Sequence, residues 1–170
     1  RKEVRKYDLF TQYALVAAAQ AVGDSALDLE HMDKERAGVV WASGIGGLIT
    51  FHHETEGFVE SKRIPRYSPF FIPKMIPDIA AGHISMKYGF HGPNYATVSA
   101  CASSNHAITD AMWLIRYGKA EVVLTGGSEA AGIDAGVGGV GASQALSTRI
   151  DDPQKASRPF DEDRGGFDVG

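Results

Sequence analysis

Short apolar segments alternate with helix-forming segments along the middle of the chain, and this order constrains the fold more than any other feature. Residues 37–43 and 121–125 are mostly apolar and predict short buried strands, while β-branched Thr97 and Val98 predict a strand end over 96–99. Helices are predicted over 48–60 and 105–117, the second from apolar residues at helical spacing. This order favours an α/β fold with a largely parallel mixed sheet covered by helices.

Two more helices are expected outside that alternation. Asp8 suits the N-cap of a helix over 9–22. Pro73 suits the first turn of another helix, expected to continue to residue 88. No regular structure is assigned to 130–141, and polar, turn-rich loops are expected over 145–149 and 157–170. The helix over 9–22 is expected to place one apolar row on a common face: Leu9, Tyr13, Val16 and Ala17.

The length, net charge and composition of the chain exclude several classes of protein. The 170 residues suit one domain with a sizeable core, and the formal charge of −4 implies no general affinity for nucleic acid. No apolar run predicts a membrane span, and no secretory signal is recognised. The single cysteine excludes an internal disulfide and fits a reducing, cytoplasmic setting. Because the chain begins at Arg1 and stops at Gly170 before an apparent strand, we expect a fragment of a longer protein.

That cysteine, Cys101, lies where the predicted strand meets the predicted helix. Backbone N–H groups and the positive end of a helix dipole favour a thiolate at such a position. Small neighbours allow a sharp turn that resembles the nucleophile elbow of acyl-transfer enzymes. An inert buried thiol is the alternative, and the local residues alone leave both open. The small neighbours are Ala100, Ala102, Ser103 and Ser104.

Three other groups of residues could indicate a different kind of site, but the sequence supports each of them less well. Residues 136–141 match G-x-G-x-x-G, but a dinucleotide site needs a strand directly before the motif, and the nearest predicted strand ends near Thr125. Adjacent His52 and His53 should point roughly 100° apart on a helix, so no metal site is expected. His106 would have to bend back past the helix start to act as the base for Cys101.

The segment around Cys101 resembles the active-site segment of the β-ketoacyl-acyl-carrier-protein synthases, the elongating type II condensing enzymes of fatty-acid synthesis. It reads Val98-Ser-Ala-Cys-Ala-Ser-Ser-Asn-His-Ala-Ile108. Further family motifs recur in the same order along the entire chain. They are Ser43-Gly-Ile-Gly-Gly47, Ser68-Pro-Phe-Phe71, Tyr88-Gly-x-x-Gly-Pro93, Gly126-Gly-x-Glu129, Ala145-Leu-Ser-Thr-Arg149 and Ser157-Arg-Pro-Phe-Asp161.

The resemblance implies a thiolase-like fold of two similar α/β halves, of which residues 1–170 form most of the first. It implies that Cys101 takes an acyl group from a carrier-protein thioester, its N–H being one oxyanion donor. Decarboxylative Claisen condensation with malonyl-acyl-carrier protein then elongates the acyl group. The family's two histidines, its lysine and the loop that gives its second oxyanion donor belong to the other half. We therefore expect the 170 residues alone to be inactive.

The resemblance also implies a pocket and partners. Ile45 corresponds to the gate of the acyl pocket, Phe71 to an aromatic that closes the pocket from the neighbouring subunit of a homodimer, and Ala100 and Val140 to its lining. The carrier protein brings its own phosphopantetheine, so no other cofactor and no metal are expected. The partners implied are acyl carrier protein and acyl and malonyl thioesters, with neither nucleic acid nor membrane. The residues implied in carrier docking are Lys2, Arg5, Lys6 and Arg66.

Three alternatives remain beside that interpretation. A non-catalytic partner resembling the chain-length factors would lack the cysteine. A polyketide-type ketosynthase would tend to carry a serine-rich segment after the nucleophile, whereas residues 102–105 look more like the fatty-acid enzymes. A thiolase that uses coenzyme A is more remote. Acyl chain-length preference is not predicted by the sequence.

Overall fold

The computed structural model describes residues 3–169, which form two units, the first ending at Ala130 and the second beginning at Ala131. The first unit contains a sheet and five α-helices, and the second contains one α-helix. The elements are α1 (Leu9–Asp24), β1 (Ala37–Ala42), α2 (Leu48–Glu60), α3 (Phe71–Met75), α4 (Ile79–Tyr88), β2 (Asn94–Tyr95), α5 (Ser103–Arg116), β3 (Val122–Gly127) and α6 (Asp134–Ala142). No helix within 3–169 combines the length and apolar character that a membrane span requires.

The sheet has three strands in the order β2-β1-β3, and both pairings are parallel. β1 pairs with β3 along its whole length, from Ala37 opposite Val122 to Ala42 opposite Gly127. All six residues of β1 are buried because it is the central strand. The expected α/β fold with a parallel sheet is therefore confirmed, although β2 begins and ends before the strand predicted over 96–99.

Side chains of β1 alternate between two helical layers, as the pleat of a strand requires. Val39 and Trp41 join the larger core cluster with α1 and α4. Val40 and Ala42 point the other way and pack with Ala107 of α5. The short sequence 37–42 therefore connects both layers, which explains why it contains no charged residue.

The apolar row expected on one face of α1 is not the face that the helix buries. Tyr13 and Val16 are 51% and 60% exposed, whereas Phe10, Ala14 and Ala18 are fully buried. These three residues recur every four positions and belong to the same core cluster as Ala80 and Ala81 of α4. Small alanines on both helices allow the two backbones to approach, and a row headed by Tyr13 would not. The Asp8 cap was predicted correctly, since its side chain accepts a hydrogen bond from the Phe10 N–H.

The single helix expected over 73–88 is instead two helices, α3 and α4. Ile76 has an extended conformation, with ψ at 135°, because the ring of Pro77 disfavours helical geometry in the residue before it. Gly89 ends α4 with φ at +67°, a left-handed conformation that glycine adopts without steric cost. The break turns the C-terminal end of α3 toward the loop after β1, as described below.

The segment left unassigned over 130–141 contains α6, from Asp134 to Ala142, in the second unit. The G-x-G-x-x-G match therefore lies inside a helix, so the strand-to-helix loop that dinucleotide binding requires is missing at this motif. Leu146 pairs with Phe167 in an isolated bridge. The flanking segments are turn-rich, as predicted.

Candidate active site

Cys101 is exposed and lies in a short 3₁₀ turn, Ala100–Ala102, directly before α5. The sequence placed it correctly at a helix start. The residue before it, Ala100, has φ at +51°, a left-handed conformation that a residue with a side chain adopts only when its surroundings enforce it. The thiol is therefore presented on a constrained turn at the surface of the first unit.

Ser103 enforces that turn from behind. Its side chain is buried, accepts a hydrogen bond from the Ser99 N–H at 2.8 Å and donates one to the Ala100 carbonyl at 2.6 Å. The hydroxyl of Thr97 donates to the Ser103 carbonyl at 2.8 Å. Buried polar groups satisfied in this way stabilise one backbone conformation. The small size of Ser103 is visible in the sequence, but this role was not predicted from it.

His106 contacts the segment that precedes the cysteine. Its Nδ1 lies 2.7 Å from the hydroxyl oxygen of Ser99, so the first part of α5 is connected to the residue before the cysteine turn. One ring nitrogen is thus engaged with Ser99, which gives no support to the alternative in which His106 is the general base for Cys101.

The loop after β1, residues 43–47, is held by the carboxylate of Glu129. Oε2 accepts hydrogen bonds from the N–H groups of Gly44 and Ile45, at 2.7 and 2.9 Å. Oε1 accepts one from the buried Ser43 hydroxyl at 3.2 Å. The Ile45 side chain is 49% exposed. Glu129 stands in a family motif, but its role is not evident from the sequence alone. The signal available there is an acid just after β3, beside a glycine-rich loop after the neighbouring parallel strand.

The loop, Glu129 and the cysteine turn meet at one edge of the sheet. A Cβ atom built on Gly44 would lie 2.9 Å from Oε2 of Glu129 and 3.6 Å from the carbonyl oxygen of Ala100. Carboxyl ends of parallel strands share an edge, and ligand sites of open α/β sheets lie outside that edge. Two predicted site residues, Ala100 and Cys101, are thereby brought close to the loop that carries Ile45.

Gly47 provides a stability test of the other end of this loop. Its N–H donates to the Met75 carbonyl at 2.9 Å, and an added Cβ would lie 2.8 Å from the Met75 Cα and closer still to the Lys74 carbonyl oxygen. We expect Gly47→Ala to lower the free energy of unfolding by about 2 kcal/mol, since backbone must move. Gly57→Ala is the matched control: it lies inside α2 with open space around it and should stabilise by about 0.5–1 kcal/mol. Urea denaturation measures both, and equal effects of the two substitutions would contradict the close contact.

Phe71 belongs to a row of stacked aromatic rings on α2, α3 and the loop between them. Its ring centroid lies 6.3 Å from that of Phe51 and 5.4 Å from that of Tyr67, which in turn lies 5.8 Å from Phe58. Phe51 and Tyr67 are nearly half exposed. Val140, the remaining predicted pocket residue, is half-buried on α6 in the second unit.

Of the residues predicted to dock a carrier protein, Lys2 lies outside the described residues. Arg5 and Lys6 are exposed on a 3₁₀ turn, Glu3–Lys6, and Arg66 is exposed in the loop between α2 and α3. A groove of about 780 Å³ is lined by Lys6 and Phe70, and also by His83 and Lys87 of α4. Burial lowers the pKa of His83, whose ring packs edge-on against Tyr7 at 4.5 Å. Lys87 is a further cation of this groove that was not predicted from the sequence.

The geometric argument against a shared metal face at His52 and His53 is wrong. One ligand atom from each ring and one from Glu56 lie within 4.8 Å of one another. Side-chain torsions bring both rings toward the carboxylate one turn further along α2, which an argument from helix angle alone omits. The side chains of His52, His53 and Glu56 are 40%, 69% and 56% exposed. Exposed groups in this arrangement are not by themselves evidence for a metal site.

The parallel α/β sheet that carries this exposed thiol at its edge is similar to that of solved ketosynthases. A solved β-ketoacyl synthase from Burkholderia phymatum superposes with a TM-score of 0.81 at 30% identity, over 98% of this chain and 40% of that one. A complex of a type II polyketide synthase acyl-carrier protein with its ketosynthase, bound to the hexaketide, matches with a TM-score of 0.79 at 25% identity. That match covers 86% of this chain and 42% of the other.

The chain belongs to the family described as "Beta-ketoacyl synthase, N-terminal domain", whose sequence model matches residues 1–170. It is 44% identical over all 170 residues to the 3-oxoacyl-acyl-carrier-protein synthase 2 of Vibrio cholerae serotype O1 and 45% identical to that of Staphylococcus aureus. It spans 41% and 42% of the lengths of those relatives. The resemblance read from the motifs is thus confirmed.

Proposed function

We propose that this chain carries the acyl-accepting part of an elongating β-ketoacyl-acyl-carrier-protein synthase, an acyltransferase of fatty-acid synthesis. The Cys101 thiolate attacks the thioester carbonyl of an acyl-carrier protein, a new C–S bond forms, and the phosphopantetheine thiolate leaves. The Cys101 N–H would donate to the oxyanion. The observation that carries this proposal is the exposed thiol on a turn fixed by Ser103, in a chain of this family.

The second reaction joins two carbon units. Malonyl-carrier protein loses carbon dioxide, the resulting carbanion attacks the acyl-Cys101 carbonyl, a C–C bond forms, and the cysteine thiolate is released. We assign the two histidines, the lysine and the second oxyanion donor of this step to the three fifths of the relatives' length that residues 1–170 do not span. Residues 1–170 therefore form an incomplete first half of the catalytic domain, and we expect them to be inactive alone.

For the acyl pocket we propose Ile45 as the gate, with Ala100 and Val140 in the lining. Gly44 lies beside Ala100 and adjoins Ile45, which supports the placement of the gate near the thiol. Phe71 would close the pocket of a neighbouring subunit. An exposed aromatic row that includes Phe71 is the kind of surface that a second copy of the chain would cover, and this supports a homodimer.

The partner we propose is an acidic acyl carrier protein that docks on the basic residues Lys2, Arg5, Lys6 and Arg66. The solved complex of an acyl-carrier protein with its ketosynthase supports a partner of this kind. The carrier's phosphopantetheine brings both acyl and malonyl groups as thioesters, so the reaction as proposed requires no further cofactor. A reactive thiol suits the reducing cytoplasm, which is the compartment we propose.

Reversing the docking charges should weaken use of carrier-linked substrates. With Arg5→Glu and Lys6→Glu combined in the full-length protein, we expect KM for acyl-carrier protein to rise about tenfold and kcat to change little, because surface charges mainly affect encounter. The effect should shrink as salt is raised. Lys119→Glu, an exposed cation after α5, is the control. Steady-state kinetics with carrier-linked substrate measures KM and kcat. An unchanged KM would contradict the docking role proposed for Arg5 and Lys6.

The test of the proposed function is mass spectrometry of the full-length protein after incubation with acyl-carrier protein. We expect one acyl adduct, on the peptide that contains Cys101, and its disappearance when malonyl-carrier protein is added. An adduct on any other residue, or none, would overturn the proposal.

A polyketide-type ketosynthase is the second candidate, and the match to the polyketide ketosynthase complex favours it. The two functions differ in the chain they extend. Turnover of saturated acyl-carrier protein with a single malonyl addition supports the fatty-acid reaction, while repeated addition without reduction supports the polyketide reaction. A non-catalytic role similar to that of chain-length factors would leave the exposed Cys101 unused.

A further inference from the structure

We propose that Glu129 is the positioning residue for the acyl gate: its carboxylate holds the 43–47 loop in the conformation that sets which acyl chains reach Cys101. This inference rests on the proposed function for the role of Ile45. The hydrogen bonds from Glu129 to the loop do not depend on it.

Glu129 binds main chain, so it fixes the path of the loop and not merely one side chain. Its Oε2 accepts from two successive N–H groups, those of Gly44 and Ile45, and its Oε1 accepts from the Ser43 hydroxyl. The Ser43 oxygen in turn accepts from the Gly46 N–H at 2.9 Å. Four successive loop residues are thus connected to one carboxylate, and bonds from N–H groups to a charged acceptor are about twice as strong as neutral ones.

Gly44 shows how closely the carboxylate approaches the loop. The space for its Cβ is occupied by Oε2 of Glu129, with the Ala100 carbonyl oxygen beyond. A side chain at this position would push the carboxylate away from the N–H groups it binds. The glycine therefore belongs to the same arrangement as the acid, and both adjoin the residue before Cys101.

The loop has a second attachment of a different kind. Gly47 donates from its N–H to the Met75 carbonyl, a main-chain bond at the end of α3. Glu129 is exposed, so water can compete for its carboxylate, whereas the Gly47 attachment is closely packed. Ile45 lies between the two attachments with its side chain half exposed. Breaking the hydrogen bonds to Glu129 would free Ile45 while leaving α3 in place. This carboxylate is therefore the contact that controls whether the 43–47 loop opens.

The test uses Glu129→Gln and Glu129→Asp in the full-length protein. Glutamine keeps the size and loses the charge, and aspartate keeps the charge and loses the reach. Amide hydrogen exchange at Gly44 and Ile45 should rise about tenfold in either variant, since charge-assisted bonds are lost. The ratio of kcat/KM for long against short acyl-carrier proteins should change at least about fivefold, a readout that a general loss of stability would not move. Glu121→Gln is the control, because that carboxylate pairs with the partly buried Arg36 beyond the opposite end of β3.

The two proposals fail in distinguishable ways. Exchange at Gly44 and Ile45 that stays at the wild-type rate in both variants overturns the positioning role, even if Cys101 is acylated. Faster exchange with an unchanged chain-length ratio restricts Glu129 to a structural role and also overturns the proposal. Absence of any acyl adduct on wild-type Cys101 overturns the proposed function, and the exchange result then reports on the loop alone.

Discussion

Replacing Cys101 with serine should lower the rate of acyl transfer by at least about a thousandfold. A serine hydroxyl needs an adjacent base to become nucleophilic, whereas a thiolate is a strong nucleophile without one and also a good leaving group. His106, the nearest histidine in sequence, engages Ser99 through its Nδ1. That nitrogen is therefore occupied by Ser99 and does not serve as a base for the serine hydroxyl.

Two further variants of the full-length protein make the measurement decisive. Cys101→Ala should give no adduct by mass spectrometry and set the background rate. Ser104→Ala changes another small residue near the same turn and should retain the adduct with a rate within a few-fold of wild type. A serine variant that turned over as fast as the wild type would place the nucleophile elsewhere, and an adduct that survived Cys101→Ala would do so directly.

How much of the fold could be predicted depends on how local each signal is. β1 and α2 are found within a residue of their predicted bounds, because an apolar run followed by glycines specifies a strand end and a helix start locally. The break before Pro77 also has a local signal, the proline itself, although one unbroken helix was predicted there. The buried face of α1 could not be read locally, since the choice between the rows of Tyr13 and Ala14 depends on α4, which lies about 60 residues further along the chain.

The residues of the candidate site also differ in how local their sequence signals are. The position of Cys101 at a helix start follows from its immediate neighbours, which the family motif also includes. The role of Glu129 does not, because its hydrogen bonds join residues 84 to 86 positions apart and exist only once β1 and β3 are paired. Ser103 is intermediate: its partners are near in sequence, but its burial depends on tertiary packing.

Asp8→Ala should lower the free energy of unfolding by about 3 kcal/mol, because one buried carboxylate serves two helices. Oδ1 accepts from the Phe10 N–H and caps α1. Oδ2 accepts from the N–H of Thr50 at 2.9 Å and from its hydroxyl at 2.5 Å. Thr50 is the third residue of α2, whose own N-cap, Gly47, has no side chain to offer. The first N–H groups of a helix lack partners within it, so Asp8 supplies an acceptor that α2 cannot.

Two matched variants separate the parts of that effect. Thr50→Val removes the hydroxyl bond and leaves the N–H bond, so it should cost about 1 kcal/mol. Asp33→Ala removes an aspartate cap of the same chemistry, from an exposed three-residue 3₁₀ helix, and should cost much less than Asp8→Ala. Chemical denaturation monitored by circular dichroism ranks the three variants. If the losses for Asp8 and Asp33 were equal, the burial of Asp8 and its bond to the Thr50 N–H would contribute nothing beyond an ordinary cap. A loss for Asp8 well above that of Thr50→Val would instead establish that the carboxylate connects α1 and α2, the two helices that precede and follow β1.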